Sequence, residues 1–208
     1  MNALKEFDNN YYKQGVEYLA GVDEVGRGPI AGPVVAAAVI FEKHVFIEGI
    51  NDSKKLSENK RNDLYVKIIK SSFSYGYAII DNNEIDKINI LQASLKAMSF
   101  ACNKLTIKPD LILIDGNKKF NSDIKTEAII KGDAKSFVIA AASIVAKVIR
   151  DNLMVKEAEK YPAYNWKKNK GYPTKEHFDN VFKYGLSPLH RKTFLQKYTD
   201  YIPIEFGE

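Results

Sequence analysis

A single cysteine, Cys102, stands in 208 residues, so no internal disulfide can form and packing and hydrogen bonds must hold the fold. Cys102 falls at helical spacing among apolar residues and reads as a plain core thiol, which fits a reducing cytosol. Long hydrophobic runs are missing as well. The two longest, residues 34–41 and 137–146, fall far short of the ~20 residues a membrane-crossing helix needs, and both read as core elements. The first ten residues lack the basic-then-apolar order of a secretory signal and read as a polar lead-in. Internal repeats and low-complexity tracts are absent, which excludes solenoid and fibrous architectures. A cytoplasmic chain without membrane association is expected.

What is present suffices for a full core. With 45% hydrophobic residues, the expected unit is a single domain over 1–208, its core at about 15–160 and a helical C-terminal portion at about 161–208. Lysine and arginine number 31 against 26 acids, and the net charge of +5 suits a polyanionic partner. A monomer is expected, and a replication clamp is a possible partner for which the sequence offers no support.

Residues 20–33 carry the most information. They set adjacent carboxylates, Asp23 and Glu24, against a loop containing Gly26, Arg27, Gly28 and Gly32, between two apolar runs that read as strands. Ser57 is a plausible N-cap for a helix to about 70, and residues 72–81 alternate as a third strand. Residues 88–105 show helical spacing, and 111–114 form a strand buried on both faces. A short strand at about 127–131 and a long helix from 134 to about 160, opened by Asp133, complete a mixed α/β sheet with hairpin-like links between the first three strands. Pro162, Pro173 and Pro188 break the remainder into short helices, treated as an accessory layer. Residues 201–208 are expected to be an unstructured end.

Four acids stand at strand ends or a helix start: Asp23, Glu24, Asp115 and Asp133. Carboxylates without basic neighbours repel one another and invite hard divalent cations, which prefer oxygen ligands. Two such ions ~3.5–4 Å apart can clamp a phosphodiester. Each acid also has a plainer reading, Asp133 as a helix N-cap and Asp115-Gly116 as a turn pair. Adjacent strand residues point to opposite faces. Asp23 and Glu24 can therefore share a site only if the strand ends or twists between them, or if one contributes through its backbone.

The loop formally fits the Gly-x-Gly-x-x-Ala pattern of a dinucleotide-binding turn, but Pro29, Pro33 and a β-branched run follow it where that fingerprint needs a helix. On the long helix, Ser136, Ala140, Ser143, Lys147 and Arg150 make one small and polar stripe that could follow a phosphate backbone, or be a solvated face. Residues 166–177 interleave basic and aromatic side chains around Tyr172, as single-strand binders do, although Tyr172 could equally be a core aromatic. His177 reads as a packing or surface histidine.

Six ordered motifs cover nearly the whole chain: Asp-Glu-Val-Gly-Arg-Gly-Pro at 23–29, Asp-Ser-Lys-Lys-Leu-Ser at 52–57, Ile-Asp-Gly at 114–116, Gly-Asp-Ala-Lys-Ser at 132–136, Ala-Ala-Ala-Ser-Ile-Val-Ala-Lys-Val at 140–148 and Gly-Tyr-Pro-Thr-Lys-Glu-His at 171–177. Together they resemble bacterial ribonuclease HII. The sister type, ribonuclease HIII, is less similar, since it carries an added N-terminal domain and departs from Gly-Arg-Gly. The resemblance implies a ribonuclease H-like fold, cleavage of RNA in RNA/DNA hybrids, and nicking of duplex DNA 5′ to an embedded ribonucleotide. It also implies that Asp23, Glu24, Asp115 and Asp133 ligate Mg²⁺ or Mn²⁺, that Gly26-Arg27-Gly28 reads the ribose 2′-hydroxyl, and that Tyr172 stacks on the next deoxynucleotide's sugar. Lys54, Ser143, Lys147 and Arg150 are the further candidate substrate contacts. The rival expectation is another ribonuclease H-like nuclease or resolvase, without ribonucleotide specificity.

Overall fold

The computed structural model describes residues 2–51, 53 and 56–202, apart from the side chain of Thr199. Five strands form one sheet: β1 (Leu19–Val25), β2 (Val34–Ile40), β3 (Ser74–Ile80), β4 (Leu111–Asp115) and β5 (Lys125–Ile129), in the spatial order β3-β2-β1-β4-β5. β1 pairs antiparallel with β2 and parallel with β4, so the parallel and antiparallel halves of the sheet meet at β1. The link from β2 to β3 is no hairpin, because it contains helix α2 (Glu58–Ser71), capped by Ser57 as the sequence predicts.

Strand alternation sorts the sheet into two faces. Ala20 and Val22 of β1, with Ala36 and Ala38 of β2 and Ile112 and Ile114 of β4, pack under helix α3 (Asn82–Asn103). Leu19, Ala37, Val39, Leu111 and Leu113 lie on the other face, against α4 (Phe137–Lys160), α2 and α1 (Ala3–Lys13). α4 approaches β1 so closely that a Cβ on Gly21 would run into the Val138 peptide. Cys102 is buried in the α3 layer, and burial pushes its thiol up to about 12, which suits a core thiol.

Three further expectations change. Residues 3–13 are not a polar lead-in but a helix with Leu4 in the core, and its buried Asp8 accepts hydrogen bonds from Ser136 Oγ (2.7 Å) and the Val138 amide (2.9 Å). Asp133 does not open the long helix. It sits in a 3₁₀ turn (Gly132–Ala134), and Ser136 is the N-cap of α4. α3 begins six residues earlier than its apolar spacing implied, at the Asp81 cap, and kinks where Asn89 adopts φ 65°.

Beyond α4 come α5 (Trp166–Asn169), α6 (Lys175–Tyr184) and α7 (Lys192–Leu195), with Thr174 capping α6 as expected. Trp166, Val181 and Leu195 pack with Ile30 and Ala31 of the β1–β2 loop and with Met154 of α4. The tail therefore backs the glycine loop. Of the expected unstructured end, residues 203–208 lie outside the described residues, as do Asp52, Lys54 and Lys55. Among the described residues no helix is long and apolar enough to cross a membrane.

Candidate active site

The ends of β1 and β4 lie side by side, since Val22 pairs with Ile114. The next residues on those strands are Asp23 and Asp115, and both continue the face that packs on α4. β1 runs on to Val25, so Glu24 leaves on the α3 side, and the strand does not end between the two acids. Their link is the backbone: the Glu24 amide donates to Asp23 Oδ1 at 2.7 Å.

Asp115 Oδ1 in turn accepts from the Gly132 amide at 2.6 Å. That bond holds the Gly132–Ala134 turn against the end of β4 and brings the buried Asp133 into the cluster. Asp23 is 4% exposed. Its carboxyl is held well above the usual carboxylate range, first by burial and then by the charges of Glu24 and Asp115; the Ser143 hydroxyl pulls it back, and Asp133 adds to the rise. Glu24 is raised as well, chiefly by burial, with Arg27 opposing and Asp115 reinforcing. All four acids are thus within electrostatic reach of one another through Asp23.

Such a set fits a hard divalent cation. Every donor is a carboxylate oxygen, and Glu24 Oε2 is buried without a hydrogen-bond partner among the described residues, while Oε1 takes Arg27 Nη1 at 3.3 Å. As placed, no three His, Cys, Asp or Glu side chains among the described residues are gathered closely enough to hold a metal ion, so the fit rests on the chemistry of the donors.

A cavity of about 320 Å³ opens on the cluster, lined by Asp23, Glu24, Asp115, Gly26, Arg27, Gly28, Ser53, Ser143, Lys147 and Tyr172. Gly26 has φ +105°, and a Cβ there would meet Arg150 and the Pro33 carbonyl. Gly28 presents bare backbone to the cavity, with Tyr172 Cε1 at 3.8 Å from where its Cβ would stand. Tyr172 is 38% exposed, so it is not a core aromatic; its ring lies 5.8 Å from Lys147 Nζ and 5.7 Å from the Arg150 guanidinium carbon. Ser143 is buried and hydrogen-bonded to Ser53 at 2.7 Å. Lys147 reaches the cavity while paired with Asp151 at 2.7 Å.

Arg150 belongs elsewhere than the phosphate-facing place expected for it. It is fully buried, and its guanidinium donates to the carbonyls of Pro33 (2.9 Å), Lys170 (2.9 Å) and Ala31 (3.2 Å). The spacing that puts Arg150 on the Ser143–Lys147 stripe holds, but three loop carbonyls claim its donors. Lys54 lies outside the described residues.

Sequence reasoning missed Arg191, Ser53 and Arg61. Arg191 is fully buried behind the glycine loop, and Arg61 Nη1 donates to the Ser53 carbonyl at 3.1 Å, holding that serine at the cavity. His177 is a packing histidine in a buried chain. Its Nδ1 donates to the Tyr172 carbonyl (2.9 Å), and its Nε2 accepts from Trp166 Nε1 (3.0 Å) and meets His190 Nε2 at 3.1 Å. The backbone of Tyr172 is thereby tied to the C-terminal layer.

A family model described as Ribonuclease HII matches residues 20–198. The ribonuclease HII of Clostridioides difficile (strain 630) is 49% identical over 196 residues, covering 94% of this chain and 77% of that protein. That of Rickettsia akari (strain Hartford) is 53% identical over 191 residues, 92% and 96% of the two chains. In structure, the ribonuclease H2 of Pyrococcus horikoshii OT3 superposes with a TM-score of 0.72 at 30% identity, over 85% of this chain and 93% of that one. Its fold is ribonuclease H-like: a mixed five-stranded sheet between helical layers. The chain belongs to the ribonuclease HII family and is an RNase H-type endonuclease, a hydrolase of phosphodiester bonds.

Proposed function

We propose that the chain hydrolyses the RNA strand of RNA/DNA hybrids and nicks duplex DNA on the 5′ side of an embedded ribonucleotide, using Mg²⁺ or Mn²⁺. The observation that carries this reading is adjacency: one cavity is shared by three of the acids, the Gly26-Arg27-Gly28 backbone and Tyr172. Recognition of one sugar and cleavage beside it then fall in one place.

Asp23, Glu24, Asp115 and Asp133 would hold the cation. When bound, it supplies positive charge against the scissile phosphate and lowers the pKa of water. The rest is the protein's own work. The 2′-hydroxyl is the one group that separates RNA from DNA at a given position, and reading it takes donors and acceptors at hydrogen-bond distance. Backbone without side chains at Gly26 and Gly28 allows that approach, and the half-exposed Tyr172 ring offers an apolar surface to the neighbouring sugar. Lys147 and Ser143, one turn apart on α4, line the same cavity and orient the phosphate chain. A binding cleft of this kind gives affinity that falls as salt rises, because phosphate contacts release counterions.

Comparing cleavage of a duplex holding one ribonucleotide with that of its 2′-deoxy counterpart tests the reading. Strong preference for the first supports it. Equal rates would leave a ribonuclease H-like nuclease without ribonucleotide specificity.

A further inference from the structure

Behind the Gly26-Arg27-Gly28 loop, four carbonyls converge on one side chain. Arg191 Nη2 donates to Gly26 O (2.7 Å), Nη1 to Arg27 O (3.2 Å) and Pro29 O (2.7 Å), and Nε to Gly32 O (2.9 Å). Arg191 is fully buried, and among the described residues no carboxylate lies within ion-pair distance of it, Asp86 acting on it only through its charge. All the hydrogen-bonding of a buried cation is directed at one loop.

Peptide geometry turns this into a statement about the other side of the loop. The described peptide bonds are trans, and in a planar trans peptide the C=O and the following N–H point in opposite directions. A Gly26 carbonyl aimed at Arg191 therefore aims the Arg27 N–H away from it, and the Arg27 carbonyl does the same for the Gly28 N–H. The two remaining peptides are spoken for: the Ile30 N–H donates to Gly171 O at 2.9 Å, and Pro33, after Gly32, has none. Among the described residues, neither the Arg27 nor the Gly28 N–H has an intramolecular acceptor. Both residues line the cavity that holds the acids.

From this geometry we infer that Arg191 is a positioning residue for sugar recognition: it fixes and polarises the peptides that present the Arg27 and Gly28 N–H groups to the 2′-hydroxyl. The inference rests on the reading of the loop given under Proposed function. Hydrogen bonds in series strengthen one another, so a cation on each carbonyl makes the far N–H a better donor. A lysine cannot replace it, because one ammonium lacks the planar fork that reaches four carbonyls spread over seven residues.

The test is the ratio of Kd for the all-deoxy duplex to Kd for a duplex with one ribonucleotide, measured with Ca²⁺ in place of Mg²⁺ so that no turnover occurs, for the wild type, Arg191→Lys and Arg191→Met, with melting temperature measured alongside. The expected result is a fall of tenfold or more in that ratio for both folded variants, with the salt dependence of binding unchanged. Folded variants that keep the wild-type ratio would overturn the inference and leave the loop reading intact. A wild-type ratio near one would instead remove the loop reading, and this inference with it. If neither variant folds, NMR exchange on the wild type decides. Arg191 Nε–H should exchange slowly throughout, while the Arg27 and Gly28 amides should exchange fast and be slowed by the ribonucleotide duplex and not by the all-deoxy one. Fast exchange at Arg191 Nε–H, or equal protection by both duplexes, contradicts it.

Discussion

The amide of Glu24 donates to the carboxylate of Asp23 at 2.7 Å, so two neighbours that leave opposite faces of β1 stay joined where the strand ends. Asp23 faces α4 beside Asp115, while Glu24 faces α3. A second cavity of about 200 Å³ lies on that side, lined by Glu24, Asp115 and Asn117 among others. Adjacent acids thus line cavities on two sides of a strand end without a break in the strand.

Replacing Asp23 by Asn removes one ionisable group from a buried cluster of acids while keeping the side-chain size. The expected outcome is loss of hydrolysis at any Mg²⁺ concentration together with a higher melting temperature in EDTA, by about 2–4 °C for each kcal/mol of repulsion relieved. Thermal melts and a cleavage assay check both halves. A variant that is active, or one less stable than wild type in EDTA, contradicts the cluster.

Tyr172 can be tested apart from folding, since its ring is half-exposed and its backbone carries the structural bonds. Tyr172→Ala should melt near the wild-type temperature and lose about 1–3 kcal/mol of substrate binding, roughly 5- to 150-fold in Kd. Tyr172→Phe should stay close to wild type. A phenylalanine variant as impaired as the alanine one would shift the role from ring to hydroxyl.

Asp8 joins α1 to the start of α4 and so to the turn that carries Asp133. Asp8→Ala strands the Ser136 hydroxyl and the Val138 amide, at a cost of about 1–3 kcal/mol. Denaturant unfolding measures this; an unchanged midpoint would mean that α1 is a passive lead-in after all.

Much of this arrangement is legible in the sequence, and the failures share a cause. The apolar runs at β1, β2 and β4 reveal the sheet because a strand buried on both faces needs no partner to be recognised. Asp23, Glu24 and Asp115 are visible because they interrupt those runs, and Asp133 because it stands at the start of a long helical pattern. Asp133 and Ser136 both qualify as caps, and the choice between them is made by Asp8, some 125 residues away in sequence. Arg150 is placed on the correct helix face, yet its partners are loop carbonyls that carry no residue signature. Arg191 stands in Leu189-His190-Arg191-Lys192, indistinguishable by sequence from a solvated basic tail. Side chains that bind backbone leave no pattern to read.

The buried histidines give the fold a pH dependence. His190 is pushed down to about 3, chiefly by burial and then by His177, and His177 is lowered too. A histidine held below its unfolded value of 6.5 stabilises the fold above that pH, and the contribution is lost as pH falls from 6.5 toward 3. The slope is at most about 1.4 kcal/mol per pH unit for each proton taken up on unfolding. His190→Gln should be less stable than wild type at pH 8, with the gap narrowing as pH falls through that window. A gap that stays constant from pH 8 to 4 would contradict a neutral, buried His190.

The most direct measurement of the central claim, that a metal-holding acid cluster and a 2′-hydroxyl reader share one cavity, is single-turnover cleavage of a duplex with one ribonucleotide at a known position, with Mg²⁺ and with EDTA, beside the all-deoxy duplex. The account predicts one nick, 5′ to the ribonucleotide, only with Mg²⁺ and only in the first duplex. Comparable cleavage of the all-deoxy duplex, or cleavage in EDTA, would contradict it.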